Sequence, residues 1–205
     1  MSEVQQIGPH RIHHSDIQRG AESLMGDENA WITYVDPPWG PGHIKLFATM
    51  NKKQTGQDVS PMLLEPFLSA LFDLVTRHTD AYLIVEYGVR WRNVVQRIGA
   101  DHGWHPERVV PVEYASGNRL LPVDLHLFAK PGFTYPPRYG DDLHGVTGYN
   151  LVRRAVRPLA RPGLILLDPC CGMGLSARAA LSAQMRFRGM EFNAHRLAKT
   201  AMLLA

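Results

Sequence analysis

Cysteine is scarce in this sequence of 205 residues, and long apolar runs are missing. The two cysteines, Cys170 and Cys171, are adjacent, and neighbouring cysteines rarely bridge each other. We therefore expect no structural disulfide and a reducing, cytoplasmic location. No stretch approaches the roughly 20 apolar residues of a membrane span. The first ten residues lack the basic-then-apolar order of a secretory signal, so we expect no membrane contact.

Several catalytic patterns are also missing. The ten histidines are scattered and the cysteines are too few for a zinc site, so we expect no metal. No Ser-His-Asp or Walker-type pattern is present. A net charge of +3 and an isoelectric point near 9.0 mildly favour polyanionic partners.

What is present is the alternation of apolar strands and amphipathic helices, typical of a doubly wound α/β sheet in one domain. The predicted strands are 11–14, 31–35, 81–85, 164–167 and 187–190, with a hairpin of 108–114 and 120–128 around Gly117-Asn118. The hairpin should close one edge of the sheet. The predicted helices are 17–25, one from Ser60 as N-cap and Pro61 at its first position, 90–98, 150–160, 175–184, and one from Ala194 capped by Asn193.

Two basic segments are candidates for gripping a polyanion. The segment 40–60 is predicted as a long polar loop, and such loops are usually functional or mobile. It contains three lysines: Lys45, Lys52 and Lys53. The helix 150–160 has a basic outer face formed by Arg153, Arg154 and Arg157. The alternative for both segments is an ordinary solvated basic surface.

The tetrapeptide Asp36-Pro37-Pro38-Trp39 follows the strand 31–35, and open α/β sheets build their sites at such strand ends. An aromatic amine is a weak nucleophile, so its site needs acceptors for the amine protons. Asp36 and a carbonyl of the rigid Pro-Pro turn can supply them, and Trp39 can stack on a base. The alternative is a strand-ending turn with a core tryptophan.

A second motif follows the strand 164–167, in Asp168-Pro169-Cys170-Cys171-Gly172-Met173-Gly174. Glycines at such a turn let backbone amides approach a ligand, and the next helix aims its N-terminus there. Glu191 ends the next strand, where a carboxylate can hold ribose hydroxyls. Charge compensation at a helix N-terminus is the alternative role for Glu191.

These segments together resemble the β class of DNA amino-methyltransferases, a permuted form in which the catalytic Asp-Pro-Pro-aromatic motif precedes the Asp-Pro-x-x-Gly-x-Gly motif. The resemblance covers nearly the whole chain. It implies a Rossmann-like S-adenosylmethionine-dependent methyltransferase fold with a seven-stranded mixed sheet, ordered 3-2-1-4-5-7-6, in which the chain starts at strand 3. It also implies one catalytic domain over 1–205.

The resemblance further assigns roles to individual residues. The catalytic set would be Asp36, Pro37, Pro38 and Trp39. S-adenosyl-L-methionine would be the cofactor, contacted by Asp168, Pro169, Cys170, Gly172, Gly174, Glu191, Phe192 and Asn193. Asp16, in an element similar to the family's His-Gly-Asp, would contact the cofactor's adenine. His144 and Thr147 lie in a segment similar to the one that helps hold the cofactor's methionine, although its lysine and both prolines are missing here.

The expected substrate is the N6 of adenine in DNA. Relatives that methylate cytosine N4 usually carry serine in place of Asp36, whereas Trp39 is typical of messenger-RNA adenine methyltransferases, so RNA stays open. Related enzymes insert a target-recognition domain where this chain has only the short linker 130–142. The recognised base sequence should therefore be short or loosely specified, or its recognition should be supplied by a partner subunit or a homodimer. A cofactor-binding but inactive subunit is the other alternative.

Overall fold

A computed structural model describes residues 3–55 and 60–205, and a mixed sheet of eight strands organises them. The strands are β1 (Val4–Ile7), β2 (His10–His14), β3 (Ala30–Val35), β4 (Thr79–Gly88), β5 (His105–Ser116), β6 (Arg119–Ala129), β7 (Ile165–Asp168) and β8 (Arg186–Glu191). Their order across the sheet is β1-β2-β8-β7-β3-β4-β6-β5. The central strands β2, β8, β7, β3 and β4 are parallel, whereas β1 pairs antiparallel with β2 and the hairpin of β5 and β6 pairs antiparallel with β4 through β6.

The expected strand order is confirmed: from β2 to β5, the observed order is the predicted 3-2-1-4-5-7-6. The hairpin of β5 and β6 closes one edge, with its turn at Gly117-Asn118 as predicted. The expected number of seven strands was wrong by one. The additional strand β1 pairs antiparallel with β2 at the other edge. It is four residues long and half exposed, which leaves little apolar pattern for a sequence to show.

Helices cover both faces of the sheet. They are α1 (Glu22–Met25), α2 (Pro41–Thr55), α3 (Leu64–His78), α4 (Arg92–Asp101), α5 (Gly148–Val156), α6 (Leu175–Ser182) and α7 (Ala194–Leu204). One apolar core lies between the sheet and helices α5, α6 and α7. A second core lies on the other face, beneath α1, α2, α3 and α4. None of the helices in the described ranges is long and apolar enough to cross a membrane.

The segment 40–60 corrects a prediction, because most of it is the helix α2 and not a loop. Pro41 occupies the first helical position, where its missing N–H costs nothing. Ile44 and Asn51 are buried and seven residues apart, which is a helical spacing. Residues 56–59 of the predicted loop lie outside the described residues.

The start of α3 corrects a second prediction. The sequence predicts Ser60 as the cap of this helix and Pro61 as its first residue, but the helix begins at Leu64. Pro66 explains the shift, because a proline lacks the N–H that a helix interior needs and is tolerated in a first turn. A start at Pro61 would have put Pro66 inside the helix. Ser60 and Pro61 instead line a cavity.

Candidate active site

A cavity of about 210 Å³ opens at the carboxyl ends of β2, β3, β7 and β8. Parallel strands bring the residues that follow them to one edge of a sheet, and this edge is the usual site of open α/β folds. The predicted site residues that line this cavity are Asp16, Asp36, Pro37, Pro38, Trp39, Pro169, Cys170, Glu191, Phe192 and Asn193. The two predicted motifs, which are far apart in the sequence, thus share one cavity.

Asp36 and Trp39 are held together within the tetrapeptide. The indole Nε1 of Trp39 donates a hydrogen bond to Asp36 Oδ1 over 2.8 Å. The Tyr87 hydroxyl donates to the Pro38 carbonyl over 2.9 Å and accepts from the Gly40 amide over 3.0 Å. These bonds fix the turn after β3 from both sides, so the Asp36 carboxylate has a defined direction at the cavity wall.

Aromatic rings form the wall beside Asp36. The Trp39 and Tyr114 rings meet edge to face, with centroids 4.8 Å apart. The His43 ring of α2 lies nearly parallel to Trp39 at 6.0 Å. Tyr114, from the hairpin, lines the same cavity. Such a wall suits a flat aromatic ligand, since aromatic faces stack on the π-faces of bases.

A buried carboxyl group of β4 lies behind Asp36. The register that pairs Val35 with Val85 puts Asp36 beside Glu86. Glu86 is 4% exposed and accepts a hydrogen bond from the Tyr34 hydroxyl over 2.6 Å. Burial raises the pKa of Glu86 to about 7, and the Tyr34 hydrogen bond acts in the opposite direction.

The pKa of Asp36 is raised well above the usual value for aspartate. Burial among protein atoms is the main cause, although the residue stays open on its cavity side, and the negative charge of Glu86 is the second. The hydrogen bond from Trp39 partly offsets both. Sequence analysis missed Glu86 and Tyr34. The available signal was that Glu86 is the one charged residue in the apolar run 81–87 of β4.

The glycine turn after β7 lies at the side of the cavity where the sequence predicts the cofactor. Gly172 and Gly174 adopt φ angles of +54° and +87°, which side chains rarely tolerate. The Gly172 amide donates to Glu191 Oε2 over 2.9 Å, and the Asn193 amide donates to Glu191 Oε1 over 2.8 Å. The Glu191 carboxylate is therefore fixed at the cavity, with lone pairs left for hydroxyl donors.

Asp168 sits behind this turn, not at the cavity surface. It is 4% exposed and accepts hydrogen bonds from the Cys170 amide over 2.9 Å and from the Ser176 hydroxyl. Burial raises the pKa of Asp168 to about 7, and these hydrogen bonds act against the rise. Asp168 thus ties the turn to the first residues of α6. Gly172 and Gly174 are likewise not among the lining residues.

Arg196 is a cavity residue that sequence analysis missed. It lies in the first turn of α7, and its guanidinium stacks over the Phe47 ring of α2 at 5.1 Å. A Cβ added to Gly172 would lie 2.7 Å from Arg196 Nη2, so the glycine turn and this arginine are in close contact. Its positive charge lowers the pKa values of Asp36 and Asp168, against larger effects that raise them.

Other predicted residues lie away from the cavity. His144 is exposed and Thr147 precedes α5, and neither lines the cavity. The three lysines are exposed on α2, the helix that forms one cavity wall: Lys45, Lys52 and Lys53. The arginines Arg153, Arg154 and Arg157 belong to α5 and the turn that follows it, which pack on the opposite face of the sheet. The structure therefore separates the two basic segments.

No family model matches this sequence, and none of the curated proteins matches it. Solved structures match over nearly the whole chain. TTHA0409 of Thermus thermophilus, a proposed DNA modification methylase, matches with a TM-score of 0.68 at 16% identity, over 96% of this chain and 94% of that one. M1.HpyAVI, in its complex with SAM, matches with a TM-score of 0.66 at 14% identity, over 94% and 98% of the two chains.

The cytosine-N4-specific PvuII DNA methyltransferase also matches, with a TM-score of 0.63 at 12% identity, over 94% of this chain and 85% of that one. At such identities the likeness concerns the fold. The expected fold class is confirmed: this chain has the α/β fold of S-adenosylmethionine-dependent methyltransferases.

Proposed function

We propose that this protein is an S-adenosylmethionine-dependent methyltransferase that modifies an exocyclic amine of DNA, namely the N6 of adenine. The observation that carries this proposal is the shared cavity, which Asp36 and Trp39 line together with Glu191. Asp36 and Trp39 suit a planar amine, and Glu191 suits a ribose-containing cofactor. Two proteins with this fold, TTHA0409 and the PvuII protein, are named as a proposed DNA modification methylase and a DNA methyltransferase.

The cofactor fits the residues around the glycine turn. Glu191 is oriented by two backbone amides and can accept the ribose hydroxyls. Phe192 and Asp16 line the same part of the cavity and suit the adenine ring and its amino group. Structures of TTHA0409 and M1.HpyAVI with S-adenosylmethionine bound have this fold, which supports the assignment. Pro169, Cys170 and Asn193 complete the proposed binding surface.

S-adenosylmethionine supplies a methyl group on a positively charged sulfur. The chain's own residues orient the amine that attacks it. Asp36 accepts one amine proton in a hydrogen bond, which strengthens as positive charge develops on the nitrogen. The Pro38 carbonyl already accepts from Tyr87, so we assign the second acceptor to the Pro37 carbonyl. Trp39 stacks on the base and holds Asp36 in place.

Two features bear on the substrate. Asp36 favours adenine over cytosine, since relatives specific for cytosine N4 usually have serine there. We propose that residues 1–205 act as one catalytic domain without a target-recognition domain, so that affinity comes mainly from basic residues and specificity is loose or supplied by a partner. The lysines of α2 are exposed on the helix that forms one cavity wall, and they are the favoured contacts to phosphates.

Mass spectrometry of nucleosides tests the proposal. Unmodified DNA and RNA are each incubated with the protein and S-adenosylmethionine, digested and analysed. The expected product is 6-methyladenine in DNA. Methylated adenine in RNA alone would show that the substrate is RNA, and 4-methylcytosine in DNA would show that the target base is cytosine. Absence of any methylated nucleoside, with a folded protein that binds the cofactor, would support an inactive subunit.

A further inference from the structure

The hairpin of β5 and β6 carries an unusual exposed face at its tip. Tyr114 pairs with Leu121 across the two strands, and Ser116 pairs with Arg119 beyond them. Directly opposite residues of an antiparallel pair lie on the same face, and so do residues two apart. The same face therefore carries Tyr114, Leu121 and Arg119, in order toward the tip. We call these three residues the wedge face.

The wedge face is the solvent-exposed end of a hairpin face whose inner part is buried in the core. Nearer the sheet, the cross-strand pair Val112 and Val123 is buried in the core. At the next pair outward, Tyr114 is 37% exposed and Leu121 is 40% exposed. Arg119 is exposed and forms no ion pair within the described residues. An apolar surface that ends in an unpaired cation suits a partner with both apolar and anionic parts.

This surface is continuous with the candidate active site. The Tyr114 ring contacts Trp39, at 4.8 Å between centroids, and lines the cavity. Leu121 is its direct neighbour across the hairpin. A strand that delivers one base to Trp39 therefore brings the adjoining bases and phosphates to Leu121 and Arg119.

We infer that the wedge face contacts duplex DNA beside the target adenine and stabilises the extruded state of that base. This inference rests on the proposed function. Leu121 would pack against the bases that lose their stacking partner, and Arg119 would contact a flanking phosphate. The target base must be extruded because a base in a duplex reaches a concave cavity only after it leaves the stack. Apolar side chains inserted beside an unstacked base are a general means of lowering that cost.

The test compares one variant on two forms of the same DNA. Leu121→Ser and the wild type are assayed for methyl transfer to a long unmodified amplified DNA, either as duplex or after heat denaturation. The variant should lose about tenfold or more in kcat/KM on the duplex, where unstacking must be compensated. Its activity on denatured DNA should change by less than about twofold, because no stack has to be opened.

Leu181→Ser is the matched control. Leu181 is 39% exposed, close to the 40% of Leu121, and lies at the end of α6 remote from the glycine turn. This variant should behave as the wild type on both DNA forms, and both variants should keep the wild-type melting temperature.

Three results would overturn the wedge assignment. They are an unchanged activity of Leu121→Ser on duplex DNA, an equal loss on both DNA forms, and a change in oligomeric mass that marks Leu121 as a contact between copies of the chain. Failure of the proposed function is distinguishable, since the wild type would then methylate neither form of the DNA.

Discussion

Asp36, Glu86 and Tyr34 form a polar chain that runs from the cavity into the core. Tyr34 donates to Glu86, and the charge of Glu86 acts on Asp36 from the neighbouring strand. The ionised carboxylate is the stronger acceptor for an amine on which positive charge develops, because the hydrogen bond is then assisted by charge. The raised pKa of Asp36 therefore places the acid loss of activity at a higher pH than an ordinary aspartate would give.

Replacing Glu86 by glutamine should shift the acid limb of the activity profile, which is the pH range in which activity is lost as the pH falls. The substitution keeps the size of the side chain and an oxygen for the Tyr34 hydroxyl, but it removes the charge that disfavours ionised Asp36. The pKa of Asp36 should fall, so the acid limb of kcat/KM should move to lower pH. The measurement is a pH profile on the DNA substrate. Glu65→Gln on the surface is the control, and an unmoved limb in Glu86→Gln would refute the coupling.

At the scale of elements, we propose that the glycine turn between β7 and α6 holds the cofactor. Gly172→Val should abolish binding of S-adenosylmethionine. The residue has a φ of +54°, where a β-branched side chain is strained, and its Cβ would lie 2.7 Å from Arg196 Nη2. Titration calorimetry measures the loss, with a melting curve to show that the variant is folded.

Gly42→Val is the control for this substitution, because a Cβ at Gly42 has open space around it. This variant should bind the cofactor as the wild type does. Wild-type affinity in folded Gly172→Val would show that the turn does not approach the cofactor.

Helix α2 carries the second element-scale prediction. The substitution of Lys45, Lys52 and Lys53 by glutamine should weaken DNA binding and flatten its salt dependence. Each lost phosphate contact should reduce the slope of log affinity against log salt by about 0.9. Binding titrations at several salt concentrations measure the slope. The matching substitution of Arg153, Arg154 and Arg157 should change it less, since α5 packs on the other face of the sheet. A larger effect of the arginine substitutions than of the lysine substitutions would place the DNA-binding surface at α5.

Much of the element order was predictable, whereas α2 was not. Buried parallel strands and their glycine or proline endings leave strong sequence signals, and the resemblance to the β class of DNA amino-methyltransferases implied the strand order. In α2 Gly42 and the lysines masked a helix, although Pro41 and the spacing of Ile44 and Asn51 marked it. Arg196 could not be assigned from sequence, because its position at the cavity depends on contacts between distant segments. For Glu86 the charge in an apolar strand was a signal, but its place behind Asp36 follows only from the strand register.

At the scale of the whole molecule, the sheet gathers at one edge what the chain keeps far apart. Asp36 follows β3 and Glu191 ends β8, yet both line one cavity. His144 and Thr147 lie outside that cavity, and their contact with the cofactor stays a prediction. We therefore propose that the tetrapeptide after β3 carries the chemistry and that the glycine turn after β7 carries the cofactor.

The most direct measurement compares wild type and Asp36→Ala for methyl transfer to adenine in DNA, together with calorimetry of cofactor binding. The wild type should yield 6-methyladenine. Asp36→Ala should lose at least about a hundredfold in turnover, the scale of one deleted transition-state hydrogen bond, while it still binds the cofactor. Methylation of adenine at the wild-type rate by Asp36→Ala would contradict the account and place the active site elsewhere.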